Sequence, residues 1–167
     1  CQAHRGGDPA AVAGRRAGPG STAVALSLLV IRCGRGLVAA PPGAPPDARC
    51  PSLGAPVRDG FAGLYTGLWG LPSTPWYAAG DGVPREEFAA AWAAVPGEGL
   101  EAPQHWGTVR HTITRYRLRV EIFAAVARPG WRPPAPWVRC GPARAAQLPW
   151  SSLARKALGC AGAANEI

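Results

Sequence analysis

The 167-residue sequence has no cysteine pair at CxxC or similar spacing, no Gly-x-Ser-x-Gly element, no internal repeat and a single lysine, Lys156. Its five cysteines, Cys1, Cys33, Cys50, Cys140 and Cys160, are odd in number and widely scattered. That argues against a disulfide framework or a complete zinc site and fits a reducing, cytoplasmic setting. Without a nucleophile elbow, a serine-hydrolase reading fails. The one strongly apolar run, Ala23 to Ile31, is far too short to span a bilayer, so no membrane partner is expected. Nor does the N-terminus read as a signal peptide, since no apolar segment precedes a small-residue cleavage site.

What is present suits one folded domain. Hydrophobic residues make up 47% of the chain, enough for a core at this length. Gly 22 and Pro 19 together predict many turns. The formal net charge is +8, and with one lysine that charge is nearly all arginine. Arginine presents a planar fork suited to phosphates and base edges. Two explanations stay open on charge alone: an anionic partner such as nucleic acid, or the Ala/Gly/Pro/Arg bias of a GC-rich genome.

Along the chain, residues 1–20 are small, polar and basic and read as a linker or arm. Thr22 to Arg32 suits a buried strand, Cys33-Gly34-Arg35-Gly36 a tight turn, and Leu37 to Ala40 its partner strand. Residues 41–59 hold six prolines and predict a mobile loop. Phe61 to Leu71 predicts irregular structure that buries Leu68 and Trp69. Pro84-Arg85-Glu86-Glu87 opens a helix with Phe88, Trp92 and Val95 on its inner face, ended by Pro96-Gly97. From Thr112 to Phe123, Tyr116, Leu118, Val120 and Ile122 alternate with Arg115, Arg117, Arg119 and Glu121, which predicts a half-buried strand with a charged outer face. Residues 129–136 are again proline-rich. Ser151 or Ser152 caps a final helix carrying Leu153, Ala157 and Leu158. These elements predict an α+β domain over 21–160, built on a mixed sheet, followed by a tail at 161–167.

Three stretches, in order, resemble the adenine DNA glycosylase (MutY) family. They are Gly63-Leu64-Tyr65-Thr66-Gly67-Leu68-Trp69-Gly70-Leu71-Pro72, then Val109-Arg110-His111-Thr112-Ile113-Thr114-Arg115-Tyr116-Arg117-Leu118, then Leu148-Pro149-Trp150-Ser151-Ser152-Leu153-Ala154-Arg155-Lys156-Ala157-Leu158. The resemblance implies a Nudix-like mixed β-sheet with flanking helices, the C-terminal domain of that family. Cys1-Gln2-Ala3-His4-Arg5-Gly6-Gly7-Asp8-Pro9 is similar to the stretch that begins at the last cysteine of the family's 4Fe–4S site. Such a cluster needs four thiolates, so the resemblance implies that Cys1 is an orphaned ligand and that this chain alone holds no cluster. The excision acids of the family lie upstream of that cysteine. The implied role is therefore recognition of 8-oxoguanine opposite adenine in double-stranded DNA, on behalf of a catalytic domain outside this sequence, in a bacterial, nucleoid-associated setting. Adenine removal by the full-length family proceeds on a flipped-out base.

Oxidation of guanine at C8 converts N7 from an acceptor to an N–H donor and adds a carbonyl, so a reader needs an acceptor near N7. The resemblance assigns that position to Thr114, with Ile113 and Arg115 completing the loop tip; Arg115 stands where the family commonly has histidine. His111 matches the loop's first histidine and reads as a shaping residue, while His105 has no evident partner. Arg117 and Arg119 form an outward basic stripe, either a phosphate contact or a solvated strand face. Arg155 and Lys156 suit a phosphate contact or a helix C-terminal charge.

Two alternatives belong to other classes. A generic basic module would bind nucleic acid through phosphates with no lesion preference. A Nudix hydrolase needs an Arg-Glu-x-x-Glu-Glu core to hold a divalent metal. The single Arg-Glu start, Arg85-Glu86, puts Ala89 and Ala90 at the metal-binding positions, so the expected ligands are missing.

Overall fold

The computed structural model describes residues 20–61, 63–79, 84–95 and 99–160. The expected arm, the tail at 161–167, Cys1 and the Pro96-Gly97 helix end lie outside them, except for Gly20 at the arm's edge.

The longest apolar run becomes the central strand, β1 (Thr22–Cys33), with Val24 to Ile31 fully buried. A strand covered on both faces has no polar side to alternate, which is why this run is continuous. The Gly34-Arg35 turn, with Gly34 at φ +61°, folds it back into β2 (Gly36–Ala39), pairing Cys33 with Gly36. Next come β3 (Tyr77–Ala78), α1 (Arg85–Ala93), β4 (Gln104–Ile113), β5 (Tyr116–Val126), β6 (Val138–Cys140), α2 (Pro142–Gln147) and α3 (Ser152–Cys160). The sheet order is β4-β5-β1-β2-β6, with β3 also on β1. β1 and β5 are parallel from Thr22↔Tyr116 to Arg32↔Val126, and the other pairs are antiparallel. The sheet is therefore mixed, with helices on both faces, an α+β architecture as expected.

Two cores sandwich the sheet. On one face Leu26, Leu28, Val120 and Ile122 pack with Leu153, Ala157 and Leu158 of α3. On the other, Leu29, Ile31 and Phe123 pack with Phe88 and Trp92 of α1, and with Trp131 and Trp137. Ser151 caps α3, its Oγ accepting from the Ala154 amide at 3.1 Å.

Several expectations are corrected. The alternation from Thr112 to Phe123 is two strands, not one: Ile113 pairs with Tyr116 across a two-residue turn, and β4 starts back at Gln104. The charged outer face of β5 ends at Arg119, because Glu121 is fully buried beneath α1 and the start of β4. Leu68 and Trp69 are half-buried rather than core. Arg155 and Lys156 sit in the middle of α3, not in its last turn.

The 41–59 segment is not a free loop. Ala48 and Cys50 are buried in the second core, and Asp47 ties the segment down by accepting from Trp137 Nε1 and, at 3.2 Å, from the Ser73 amide. Burial outweighs those bonds and raises the Asp47 carboxyl from 3.8 to about 6. A carboxyl that holds its proton more tightly when folded adds stability at low pH, lost as pH rises through its folded value. The urea midpoint is therefore expected to fall as pH goes from about 4 to about 6, and Asp47→Asn to flatten that slope; an unchanged slope refutes the assignment.

Candidate nucleic-acid interface

Three of the expected site residues, Ile113, Thr114 and Arg115, sit at the β4–β5 turn. Ile113 is half-buried and closes the turn against Tyr116, leaving Thr114 and Arg115 exposed at the tip. Thr114 has φ +47°. The left-handed region is uncommon for any side chain and strained for a β-branched one, and such strain gathers at functional sites. The other non-glycine residue with positive φ among the described residues is Tyr65, also +47°.

These two strained positions are connected. The Tyr65 hydroxyl lies 2.8 Å from His111 Nε2, and Ser152 Oγ lies 3.4 Å from the same nitrogen. The three stretches quoted above thus converge on one imidazole: Tyr65 from the first, His111 from the second, Ser152 from the third. Burial, and then the charge of Lys156, lowers the His111 pKa. The ring is therefore neutral near neutral pH, and in the tautomer protonated on Nδ1 the single lone pair of Nε2 accepts from the Tyr65 hydroxyl, with the Ser152 hydroxyl beside both. Burial raises the Tyr65 phenol, so it keeps its proton to donate. The first and third stretches are also stitched directly, Trp69 N to Pro149 O and Ser151 N to Trp69 O, each 2.9 Å.

A second link joins the tip to Tyr65 through rings. Arg115 lies 5.6 Å over Tyr116, Tyr116 meets Trp76 edge-on at 5.2 Å, Trp76 meets Phe61 at 5.1 Å, and Phe61 lies 5.6 Å from Tyr65. The Arg115 guanidinium pulls the Tyr116 phenol below its ordinary range. The Arg115 carbonyl accepts from the Thr22 amide at 2.8 Å, so the start of β1 anchors the tip. Behind Tyr65 lies a pocket of about 40 Å3, lined by both apolar side chains such as Leu28, Phe61 and Leu153 and polar ones such as Asp47, Ser73 and Ser151.

Arg117 and Arg119 lie on the opposite face of β5 from this cluster. Arg117 is exposed; Arg119 is bound at 3.4 Å to Glu121. His105, unassigned from sequence, sits 2.6 Å from the same carboxylate. Tyr65, Ser152 and Arg110 were missed as site residues. Arg110 was legible in principle, since it alternates outward in step with Thr112.

No family model matches the chain, and no curated protein matches it. Solved structures do. One is the C-terminal domain of mouse MUTYH, in complex with human PCNA: TM-score 0.51, 16% identity, over 85% of this chain and 89% of that one. Another is a MutT protein from Methanosarcina mazei Go1: TM-score 0.52, 11% identity, over 88% and 98%. A third is the NUDIX domain of Shewanella oneidensis NrtR, complexed with ADP ribose: TM-score 0.50, 13% identity, over 93% and 92%.

The fold is Nudix-like.

Proteins with a Nudix-like fold do different things, so the side chains have to separate them. Here α1 carries Ala89 and Ala90 in its second turn, with Glu86 and Glu87 in its first. Among the described residues no three His, Cys, Asp or Glu side chains come together as a group that could hold a metal ion. Cys33, Cys50 and Cys140 are buried thiols, and burial raises the pKa of each. Also among the described residues, no helix is long and apolar enough to cross a membrane.

Proposed function

We propose that this chain is the 8-oxoguanine-reading domain of an adenine DNA glycosylase, non-catalytic by itself, and that it serves a catalytic domain acting on adenine paired with the oxidised base in double-stranded DNA. The observation that carries this reading is Thr114, a hydroxyl-bearing, β-branched residue held at φ +47° on an exposed tip. Its hydroxyl is a ready acceptor for the N7–H that only the oxidised base offers. Arg115 beside it supplies donors for the new carbonyl or a flanking phosphate. His111 acts one layer below, holding the strand that leads into the tip against Tyr65 and Ser152. The neighbouring MUTYH domain supports the same reading. In the full-length protein Cys1 would complete a 4Fe–4S site with upstream thiolates, and the protein would work where the cell keeps its DNA.

The test is binding to two duplexes that differ only by 8-oxoguanine in place of guanine opposite adenine, at one salt concentration. The oxidised duplex is expected to bind more tightly. Thr114→Ala should shrink that preference by roughly 3–10-fold, the worth of one hydrogen bond, while Thr114→Ser keeps it. Equal binding by the unaltered chain, to both duplexes, would leave a basic module without lesion preference.

A further inference from the structure

The face of the β4–β5 ribbon turned away from His111 has no role in base reading, yet its composition is distinctive. Register sets its side chains in rows, because residues directly opposite one another share a face. Thr112, Arg117 and Ala23 form the row nearest the tip; Arg110, Arg119 and Ala25 form the next; Thr108, Glu121 and Ser27 form the third. α1 covers Ser27 and Glu121 of the third row, where Trp92 Nε1 donates to Ser27 Oγ at 2.8 Å. Ala25 is still buried, but Ala23, Thr108, Arg110, Thr112 and Arg117 are exposed.

Arg110 directly opposes Arg119, a like-charge pairing that works against the sheet. Glu121 offsets Arg119, at 3.4 Å, and Arg85, at 3.5 Å. Among the described residues Arg110 and Arg117 make no ion pair. Two uncompensated guanidiniums, Arg110 on the edge strand β4 and Arg117 on β5 beside it, with the exposed Thr112 hydroxyl in the same rows, form a surface for an anion. Arg117 and Arg119 stand about 7 Å apart along β5. The charges are strung along the ribbon rather than turned in on one pocket, which suits a chain of phosphates better than a compact diphosphate.

We propose that this face holds the phosphodiester backbone of nucleic acid while the tip reads the base. It rests on the reading above only in taking the partner to be nucleic acid, and it needs no lesion preference. Backbone contacts give affinity without sequence information and a steep salt dependence.

The experiment titrates an undamaged duplex against the full chain at several salt concentrations and takes the slope of log affinity against log salt. Arg110→Ala and Arg117→Ala should each make the slope shallower by about one, and the double variant by about two. Arg35→Ala, in the turn at the far end of β1, should leave it unchanged. The preference for 8-oxoguanine at fixed salt should survive both ribbon substitutions. Slopes unchanged in the double variant, with its melting temperature intact, would overturn the proposal, as would failure of the unaltered chain to bind undamaged duplex at low salt. Shallower slopes without any lesion preference would keep this surface and remove the base-reading role.

Discussion

Trp92→Ala is expected to lower the unfolding free energy by about 3–5 kcal/mol, among the largest single losses available in this chain. Trp92 is 1% exposed, at the centre of the second core with Phe88, Leu29 and Phe123. Removing the indole opens a cavity between α1 and the sheet. It also strips the Ser27 hydroxyl, itself fully buried, of its hydrogen-bond donor. Ser27 also joins β1 to the 73–75 loop by mutual bonds: its amide donates to Thr74 Oγ1 at 2.9 Å, and its carbonyl accepts from the Thr74 amide at 3.0 Å. Trp92→Phe keeps most of the volume and loses the N–H, so it should cost about 1–2 kcal/mol. Urea unfolding at neutral pH separates the two variants. A loss below about 1 kcal/mol for the alanine variant would mean that α1 does not pack as described.

Glu121→Ala is expected to cost about 3 kcal/mol, for an electrostatic reason. The carboxylate is fully buried and gathers four groups: His105 at 2.6 Å, the Thr108 hydroxyl at 2.8 Å, Arg119 at 3.4 Å and Arg85 at 3.5 Å. Arg85 belongs to α1, His105 and Thr108 to β4, so one side chain fastens a helix and an edge strand to β5. Without it, His105 and the Thr108 hydroxyl lose their acceptor, and the Arg85 and Arg119 guanidiniums lose their counter-charge. The partial exposure of both arginines, 48% for Arg85 and 42% for Arg119, limits the loss to the low end of the range for a broken buried pair. Glu121→Gln keeps one acceptor oxygen but points an amide at donors, and should fall between alanine and the native residue. Chemical denaturation of the three proteins gives the order directly. Glutamine matching alanine would show that charge, rather than shape, holds the cluster.

Much of the architecture was legible because it is set by local patterning. The unbroken apolar run at Val24–Ile31 marks a strand buried on both faces, the Gly34-Arg35 pair marks the turn after it, and the helical spacing of Phe88 and Trp92 marks the inner side of α1. The short elements were not legible. β3 has two residues and β6 three, and each is a strand only because β1 or β2 offers it hydrogen bonds. Glu121 shows the limit of the alternation rule. Its place in the period is outward, but outward means solvent only where nothing else packs on that face.

The sequence by itself determined the mixed α+β architecture, the central strand and the basic surplus, whereas its alternation ran one strand straight through Thr114 and Arg115, which only the family resemblance placed at a tip. Only the tertiary structure decided that Tyr65 and Ser152, 46 and 41 positions away, meet at His111, that Glu121 is a buried clamp, and that Arg110 shares a face with Arg117 and Arg119. Periodicity along a chain reports which side a residue turns to; which distant residues wait on that side is set by how the strands align and what the helices cover.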